Sequence, residues 1–219
     1  MDLYLASRSP RRRELLAGLG YRFEVVDTAI DESRPGGETP ARYVERMARE
    51  KALAGLGAVV REGPGVRRSS AVVLGADTTV VVDGTVLGKP RDDAEVLDHL
   101  ERLSGRDHLV LSAVAVLSGV ADRAAVELRL SRSRVWFRHL SEEERRRYLA
   151  TGEPADKAGS YAIQGYAAAF VTRLEGSWSA VVGLPVHETV ELLARAGVPF
   201  LPPPRGSSPA GAPAFEEDG

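Results

Sequence analysis

The 219-residue sequence contains no cysteine, which excludes disulfide bonds, thiolate metal sites and cysteine nucleophiles. It also has no run approaching the roughly 18 consecutive apolar residues that a membrane span requires. No apolar signal-peptide segment precedes the first arginines, so we expect a cytoplasmic location and no membrane partner. The formal net charge is only -2, from 29 basic and 31 acidic residues, which argues against a general nucleic-acid-binding protein.

What the sequence does have is the composition of an ordinary globular protein, with 43% hydrophobic and 27% charged residues. This length fits one domain, or two closely packed lobes. Residues 1-200 mix helical and strand patterns and predict an α/β fold, whereas residues 201-219 are rich in Pro, Gly and Ala and predict a disordered tail. We expect strands at 107-117 and 124-138 to pair antiparallel, which makes the sheet mixed.

Local patterns assign the remaining segments. Helices are predicted to begin at Pro10, Pro40, Asp93 and Glu142, and a last helix to run through Val190. Further predictions are a strand at 21-26, a variable surface connection at 57-70, a strand at 167-171 and a hairpin at 180-182.

The most informative stretch runs from Ala71 to Pro90. A continuous apolar run ends in Asp77, as in a strand that is buried on both faces and delivers one functional group at its carboxyl end. Asp83-Gly84 is typical of a tight hairpin turn that returns Lys89 to the side of Asp77. Ligands of open α/β sheets bind beyond strand ends, so this pair predicts a site for a metal ion and an anion. The alternative is a loop-capping Asp77 and a solvated Lys89.

A second candidate lies at the N-terminus, where a short strand leads through Ser7 and Ser9 into the helix that begins at Pro10. Backbone N–H groups, the two hydroxyls and the guanidinium of Arg11 or Arg12 form an anion site that suits phosphate. The alternative is a solvated basic first turn. Arginine there opposes the helix dipole, however, and therefore calls for an anionic partner.

Three other polar residues are singled out by their positions. Lys51 falls on the apolar stripe of its helix, where it either snorkels to solvent or reaches an anion in the interior. Glu32 lies in a polar, glycine-rich loop of the kind that carries function. Gln164 offers both a donor and an acceptor, which suits a nucleobase edge, although a surface glutamine is the alternative.

Seven short blocks between residue 3 and about residue 195 carry a family resemblance. They are Leu5-Ala-Ser-Arg-Ser-Pro-Arg-Arg12, Arg49-Glu-Lys-Ala52, Leu74-Gly-Ala-Asp-Thr78, Gly88-Lys-Pro90, Asp156-Lys-Ala-Gly-Ser-Tyr161, Ile163-Gln-Gly165 and Val182-Gly-Leu-Pro185. In this order they resemble the Maf family of nucleoside triphosphate pyrophosphatases. The resemblance implies a two-lobed single domain with a nucleotide cleft. It also implies a cytoplasmic, often dimeric enzyme that uses Mg²⁺ or Mn²⁺ to split a nucleoside triphosphate into the monophosphate and pyrophosphate.

The resemblance also implies roles for individual residues. Asp77 is similar to the family's proton acceptor and Glu32 to its second acidic site residue, and we expect both carboxylates to hold the metal. The positions that match phosphate contacts are Ser7, Ser9, Arg11, Lys51 and Lys89, and we expect both lysines to take part in catalysis. Arg12, Thr78 and Gln164 fall where the family varies with substrate, and this combination is that of the branch that prefers dTTP and UTP.

Two other functions remain open at this point. One is the same hydrolysis of a different substrate, a modified or purine nucleoside triphosphate such as 7-methyl-GTP. Gln164 is the residue that distinguishes the two, and it favours the pyrimidine. The other is a nucleotide-binding regulator of cell division or septum formation that does not turn over its ligand. Asp77 and Lys89 argue against the regulator, because a pure binder needs no carboxylate poised over phosphates.

Overall fold

The computed structural model describes residues 2–62, 71–118 and 125–201, in which seven strands form one sheet. The strands are β1 (Asp2–Leu5), β2 (Glu24–Val25), β3 (Ala71–Val82), β4 (Thr85–Leu87), β5 (Asp107–Ser118), β6 (Ala125–Phe137) and β7 (Val171–Glu175). The helices are α1 (Pro10–Gly18), α2 (Pro40–Glu62), α3 (Asp93–Leu103), α4 (Glu142–Leu149), α5 (Trp178–Val182) and α6 (Val186–Arg195). Short 3₁₀ turns occupy Glu153–Asp156, Ala158–Ser160 and Tyr166–Phe170.

The sheet is mixed, as predicted. Its strand order is β2-β1-β3-β5-β6-β7, with β4 paired to β3. β1 runs parallel to β2 and β3, whereas β3, β5, β6 and β7 pair antiparallel in succession. The expected antiparallel pairing of the two long strands is therefore confirmed, and helices cover both faces of the sheet.

The central strand β3 is buried along nearly its whole length. Its side chains alternate between the two faces of the sheet, so that Val73 packs under α2 while Leu74 packs on the other face with residues of α1 and α6. Apolar residues on both faces are typical of a strand covered from both sides. The same alternation directs Asp77 to the α2 side and Thr78 to the opposite side.

Asp77 itself lies in the middle of β3 rather than at its carboxyl end, so that part of the sequence prediction is wrong. The strand continues to Val82 because its second half pairs with both β4 and β5. The predicted hairpin is confirmed: Asp83 and Gly84 have φ angles of 50° and 71°, as a two-residue primed turn requires.

Helix α2 lies unusually close to β3 at Gly75. A Cβ atom at that position would be 2.3 Å from the carbonyl oxygen of Ala48 and 2.5 Å from the amide nitrogen of Ala52. Glycine therefore allows the helix backbone to approach the strand directly. Because Lys51 lies between these two alanines and Gly75 precedes Asp77 by two residues, this contact also brings Lys51 to Asp77.

Several local assignments need correction. Residues 57–62, predicted as part of a surface connection, continue α2, because Ala58 and Val59 extend its buried face. Residues 63–70 of that connection and residues 202–219 of the predicted tail lie outside the described residues. The strand predicted at 21-26 is reduced to Glu24–Val25.

Two other predictions fail near the C-terminal end. The segment 166–170 is a 3₁₀ turn, because the Glu153 carboxylate accepts hydrogen bonds from the amides of Tyr166 and Ala167, and the strand follows only from Val171. The hairpin predicted at 180-182 is helix α5. Ser177 caps that helix by accepting from the amide of Ala180.

The other helices agree closely with prediction. Ser141 and Glu144 form a capping box at the start of α4, and the Asp92 side chain caps α3. Ser9 occupies the N-cap position of α1, but its side chain makes no capping hydrogen bond. Among the described residues, no helix has the length and apolar character needed to cross a bilayer.

The segment from Asp156 to Gln164 forms one wall of a cleft and is anchored by buried side chains. His99 Nδ1 lies 2.8 Å from the Ser160 hydroxyl, and His108 Nε2 lies 2.8 Å from the Tyr161 hydroxyl. Both histidines are almost fully buried. These bonds hold the wall against α3 and β5 without help from regular secondary structure.

The first prediction concerns the Gly75 contact. We expect Gly75→Ala to lower the free energy of unfolding by at least about 2 kcal/mol. The added methyl group would clash with the backbone of α2, which cannot move away without breaking its own hydrogen bonds. Urea denaturation measures this change. Gly18→Ala is the matched control, since a Cβ atom at Gly18 meets nothing within 4 Å. Equal unfolding midpoints for the two variants would contradict the close-approach argument.

The second prediction concerns pH. Burial lowers the pKa of His108 from 6.5 to about 4, partly opposed by the charge of Asp107. Between these two values the unfolded chain binds a proton that the folded chain does not. Stability should therefore fall as pH drops from about 6.5 to about 4, by on the order of 3 kcal/mol for this group. Burial also lowers the pKa of His99, which adds a change of the same sign.

Denaturation curves at pH 7 and pH 5 test the second prediction. His108→Gln should reduce the pH dependence, whereas His187→Gln, which changes an exposed histidine, should leave it as in the wild type. An unchanged slope in His108→Gln would contradict the assignment.

Candidate active site

A cleft of about 410 Å³ is lined by six parts of the chain, one of which is the loop between β2 and α2 that carries Thr28 and Glu32. Its walls are the β1–α1 loop, the middle of β3 with the end of its hairpin, the 156–164 segment and the end of α5. Helix α2 closes the cleft from one side and contributes Tyr43 and Lys51. The cleft is therefore lined mainly by loops and strand interiors, and it is rich in charge.

The most tightly connected charges in the cleft are Lys51, Asp77 and Glu32. The Lys51 ammonium lies 2.7 Å from the Asp77 carboxylate and 2.8 Å from that of Glu32. The side chains of Lys51 and Asp77 are each only 12% exposed, so their attraction is weakly screened by water. The sequence left two alternatives for Lys51, solvent or an anion in the interior. The second is confirmed, because the ammonium group contacts the buried Asp77 carboxylate.

Glu32 is the more exposed member of this group, with 53% of its side chain accessible. Partial burial raises the pKa of Glu32, but the hydrogen bond and charge of Lys51 outweigh that effect. The charges of Lys89 and Arg12 lower the pKa further. The pKa of the Glu32 carboxyl consequently lies below its usual range. Glu32 is therefore an anion at neutral pH.

Lys89 follows the β3–β4 hairpin and lines the same cleft as Asp77, as the hairpin predicts. The carbonyl oxygen of Gly88 accepts a hydrogen bond of 3.0 Å from the Gly159 amide. Gly159 has a φ of 68°, and a Cβ there would lie within 2.7 Å of Val80. This glycine lets the 156–164 wall approach the hairpin and fixes the chain beside Lys89.

The β1–α1 loop supplies hydroxyls and guanidinium groups. The Ser7 hydroxyl accepts hydrogen bonds from the Ser9 amide at 3.3 Å and from Arg12 Nη1 at 3.2 Å. Arg12 also donates through Nε to the Gly183 carbonyl at 2.8 Å. Burial lowers the pKa of Arg12, and the charge of Asp77 counteracts it. Arg12 is thus held by protein acceptors, while Arg11 and Ser9 face the cleft.

A chain of hydroxyls lies on the opposite face of β3 from Asp77. The Ser112 hydroxyl donates to the carbonyl of Ala180 at 2.6 Å and lies 2.6 Å from the Thr78 hydroxyl. Because the single hydroxyl proton of Ser112 is donated to the Ala180 carbonyl, the Thr78 hydroxyl donates to the Ser112 oxygen. Thr78 in turn accepts from Arg12 at 3.5 Å. These bonds tie α5, β3, β5 and α1 together at one corner of the cleft.

The far wall carries further charge. Arg11 lies 3.7 Å from Asp156, and this ion pair spans the cleft. Lys157 donates to the Glu153 carbonyl at 2.8 Å and pairs with Asp156. Gln164 lines the same wall with an exposed side chain.

This arrangement suits a polyphosphate. Ammonium and guanidinium groups face the cavity from three sides and two carboxylates converge between them, as anion and cation binding together require. Among the described residues, no group of three or more His, Cys, Asp and Glu side chains could hold a metal ion. Mg²⁺ commonly binds through one or two carboxylates and substrate phosphates, however, so the pair of Glu32 and Asp77 fits a metal shared with a phosphate ligand.

A protein-family model described as Maf-like protein matches residues 2–196. The chain belongs to the Maf family. It is 52% identical over 192 residues to the dTTP/UTP pyrophosphatase of Vibrio cholerae. That alignment covers 87% of this chain and 96% of the Vibrio protein. It is also 52% identical over 196 residues to the dTTP/UTP pyrophosphatase of Hahella chejuensis, covering 90% of this chain and 92% of that protein.

A more distant likeness is found among solved structures. The structure of the Staphylococcus aureus Ham1 protein shares 12% sequence identity with this Maf chain at a TM-score of 0.35. The match covers 65% of this chain and 73% of that one.

All ten residues that the sequence singled out line the cleft of this Maf chain. The structure brings Asp77, Glu32 and Lys51 into direct contact and places Lys89 on the same cavity. Gln164 lines the wall without a hydrogen bond among the described residues. The catalytic and substrate roles of these residues remain predictions.

Sequence reasoning missed Tyr43 and Lys157, which line the cleft, and Ser112, which lies behind it in contact with Thr78. Tyr43 lies eight residues before Lys51, a spacing that puts both on one helix face. Ser112 is a hydroxyl inside an apolar strand, which is itself a signal for a buried hydrogen bond. Lys157 follows Asp156 in the polar segment that the sequence had marked.

The third prediction concerns the hydroxyl chain. Ser112→Ala removes the donor to the buried Ala180 carbonyl and the acceptor for Thr78, so we expect a loss of about 1–3 kcal/mol in unfolding free energy. Ser131→Ala is the matched control. Ser131 pairs with Ser112 across β5 and β6, is also buried, and makes no side-chain hydrogen bond among the described residues. A loss no larger in Ser112→Ala than in Ser131→Ala, as measured in urea, would refute this.

Proposed function

We propose that this protein is a nucleoside triphosphate pyrophosphatase that hydrolyses dTTP and UTP to the monophosphate and pyrophosphate. The observation that carries the proposal is the contact of Lys51 with both Asp77 and Glu32 in a cleft that Lys89 and Arg11 also line. The names of relatives about 50% identical support the same activity and the same substrates.

Charge neutralisation is the main requirement of this reaction. A triphosphate carries about four negative charges, and hydrolysis depends on positioning and on stabilising the charge that moves to the leaving group. We assign phosphate binding to Arg11, Lys51 and Lys89, which all line the cleft. Arg11 then exchanges its long ion pair of 3.7 Å with Asp156 for a closer, charge-assisted hydrogen bond to a phosphate oxygen.

The chemical step assigned to Asp77 is proton removal from the attacking water. The water oxygen forms a bond to the α-phosphorus while the bond from that phosphorus to the bridging oxygen breaks, and pyrophosphate leaves with the bond's electron pair. The proton goes to the Asp77 carboxylate. The hydrogen bond from Lys51 holds this carboxylate in place. Stabilisation of the charge on the leaving group is assigned to the same ammonium group.

We also propose that the enzyme uses a divalent cation. Glu32 and Asp77 would hold Mg²⁺ or Mn²⁺ together with substrate phosphate oxygens, and the ion would supply further neutralisation of phosphate charge. Binding it requires the Lys51 ammonium to yield part of its contact with the two carboxylates. Lys51 then remains available for phosphate.

Base preference is assigned to Arg12, Thr78 and Gln164. Arg12 donates both to the Thr78 hydroxyl and to the Gly183 carbonyl, so Arg12 and Thr78 act as one unit. Gln164 lines the same cleft, and its side-chain amide makes no hydrogen bond within the part of the chain that the structure describes, so it can read a pyrimidine edge through one donor and one acceptor.

The fourth prediction tests the proposal with a panel of dTTP, UTP, CTP, ATP, GTP and 7-methyl-GTP, each with Mg²⁺ and with Mn²⁺. Pyrophosphate and orthophosphate are assayed separately. We expect pyrophosphate from dTTP and UTP ahead of the others, and none in EDTA. Faster release from 7-methyl-GTP would overturn the base preference, and tight binding without turnover would favour a regulator.

The same assay tests the role of Asp77. We expect Asp77→Asn to lower kcat by at least about 100-fold, because a general base contributes that much or more, while the thermal midpoint stays near that of the wild type. Pyrophosphate release at the wild-type rate would remove Asp77 from the mechanism.

A further inference from the structure

The carboxylate of Glu32 is carried by an irregular segment rather than by a helix or strand. The segment from Val26 to Thr39 lies between β2 and α2 and has no regular secondary structure. A catalytic or metal-binding group must be held to within about 0.5 Å, and loops do this poorly unless other residues fix them. Something outside the segment must therefore hold Glu32 over Lys51.

Tyr43 makes the first of the contacts that do so. Its hydroxyl donates to the backbone carbonyl of Glu32 at 3.1 Å. Burial, followed by the negative charges of Asp77 and Glu32, raises the pKa of Tyr43 to about 12. The hydroxyl thus remains a donor across the physiological pH range.

Arg46 makes the second contact, one helical turn later. It donates through Nη2 to the carbonyl of Ser33 at 2.9 Å and binds both oxygens of the Glu38 carboxylate at 2.8 and 2.9 Å. One guanidinium group therefore ties two points of the segment to α2. Its planar set of donors suits this task better than a lysine ammonium.

Arg46 is itself held in place. Glu50 accepts from Nη1 at 3.3 Å, and the guanidinium lies 5.7 Å from the centroid of the Tyr43 ring. The two residues thus support one another. The same helix presents Lys51 to the Glu32 side chain, so α2 holds the backbone of Glu32 at one end and its carboxylate at the other.

We propose that Tyr43 and Arg46 are positioning residues that hold the Glu32 carboxylate at its place between Lys51 and the substrate phosphates. This inference rests on the proposed pyrophosphatase function and extends it to residues with no direct part in the chemistry. Tyr43 acts through the Glu32 carbonyl, and Arg46 acts through the segment that follows.

The fifth prediction tests this with Tyr43→Phe and Arg46→Met. We expect each to lower kcat for dTTP about 10- to 100-fold, because misplacing a reacting group by about 1 Å costs this much. KM should stay within about twofold, since the lysines and the base-reading residues are untouched. The Mg²⁺ concentration at half-maximal rate should rise. Arg42→Met is the control, because the exposed side chain of this α2 arginine makes no hydrogen bond or ion pair with the segment among the described residues, and the bond from its backbone amide to the Thr39 hydroxyl is kept in the variant.

A measurement independent of turnover accompanies the kinetics. Endoproteinase Glu-C should cleave after Glu32 and Glu38 several-fold faster in Arg46→Met than in the wild type or in Arg42→Met, because the segment opens more often. Thermal midpoints show whether a variant has lost overall stability instead.

The outcomes separate the two proposals. Wild-type kcat in both variants, or proteolysis that matches Arg42→Met, would overturn the positioning role. A large rise in KM with constant kcat would mean that Tyr43 binds substrate directly, which would also overturn it. If the wild type releases no pyrophosphate, the proposed function fails, whereas the proteolysis still decides whether Arg46 holds the segment.

Discussion

The contact of one buried ammonium with two carboxylates is the interaction on which this site depends. Asp77 comes from the middle of a sheet strand, Glu32 from a loop and Lys51 from a helix, and none of these elements alone would bring the charges together. Lys51 compensates the two negative charges that would otherwise repel each other in a poorly hydrated place. The rest of the fold can be understood as the means of keeping this contact.

Two kinds of support meet at that contact, and they differ in physical character. On the sheet side the support is steric, because the absence of a side chain at Gly75 sets the distance between α2 and β3. On the loop side it is polar, because hydrogen bonds from Tyr43 and Arg46 hold backbone carbonyls. Packing is rigid and suits the half of the site that stays fixed. Hydrogen bonds suit the half that has to admit a ligand.

The parts of this structure that sequence predicts best are those fixed locally. The Asp83-Gly84 hairpin, the capping box at Ser141 and the buried run of β3 each follow from neighbouring residues. The errors arise where distant groups decide. The carboxylate of Glu153 turns residues 166–170 into a 3₁₀ turn, and pairing with β5 carries β3 past Asp77.

The candidate site follows the same rule. Its charged residues can be predicted because they belong to recognisable motifs. Supporting residues such as Ser112 and Tyr43 donate to backbone carbonyls, and a sequence does not show which carbonyl a hydroxyl will meet.

The neighbouring residues Asp77 and Thr78 point to opposite faces of one strand, and this has a consequence for how such a protein can change over time. The ion contact on one face and the hydroxyl chain on the other share no side chain. Under the proposed function, substitutions that change base preference fall on one face and leave the ion contact of Asp77 on the other face unaltered. The two-residue period of one strand thereby separates the residues proposed for selectivity from those proposed for chemistry.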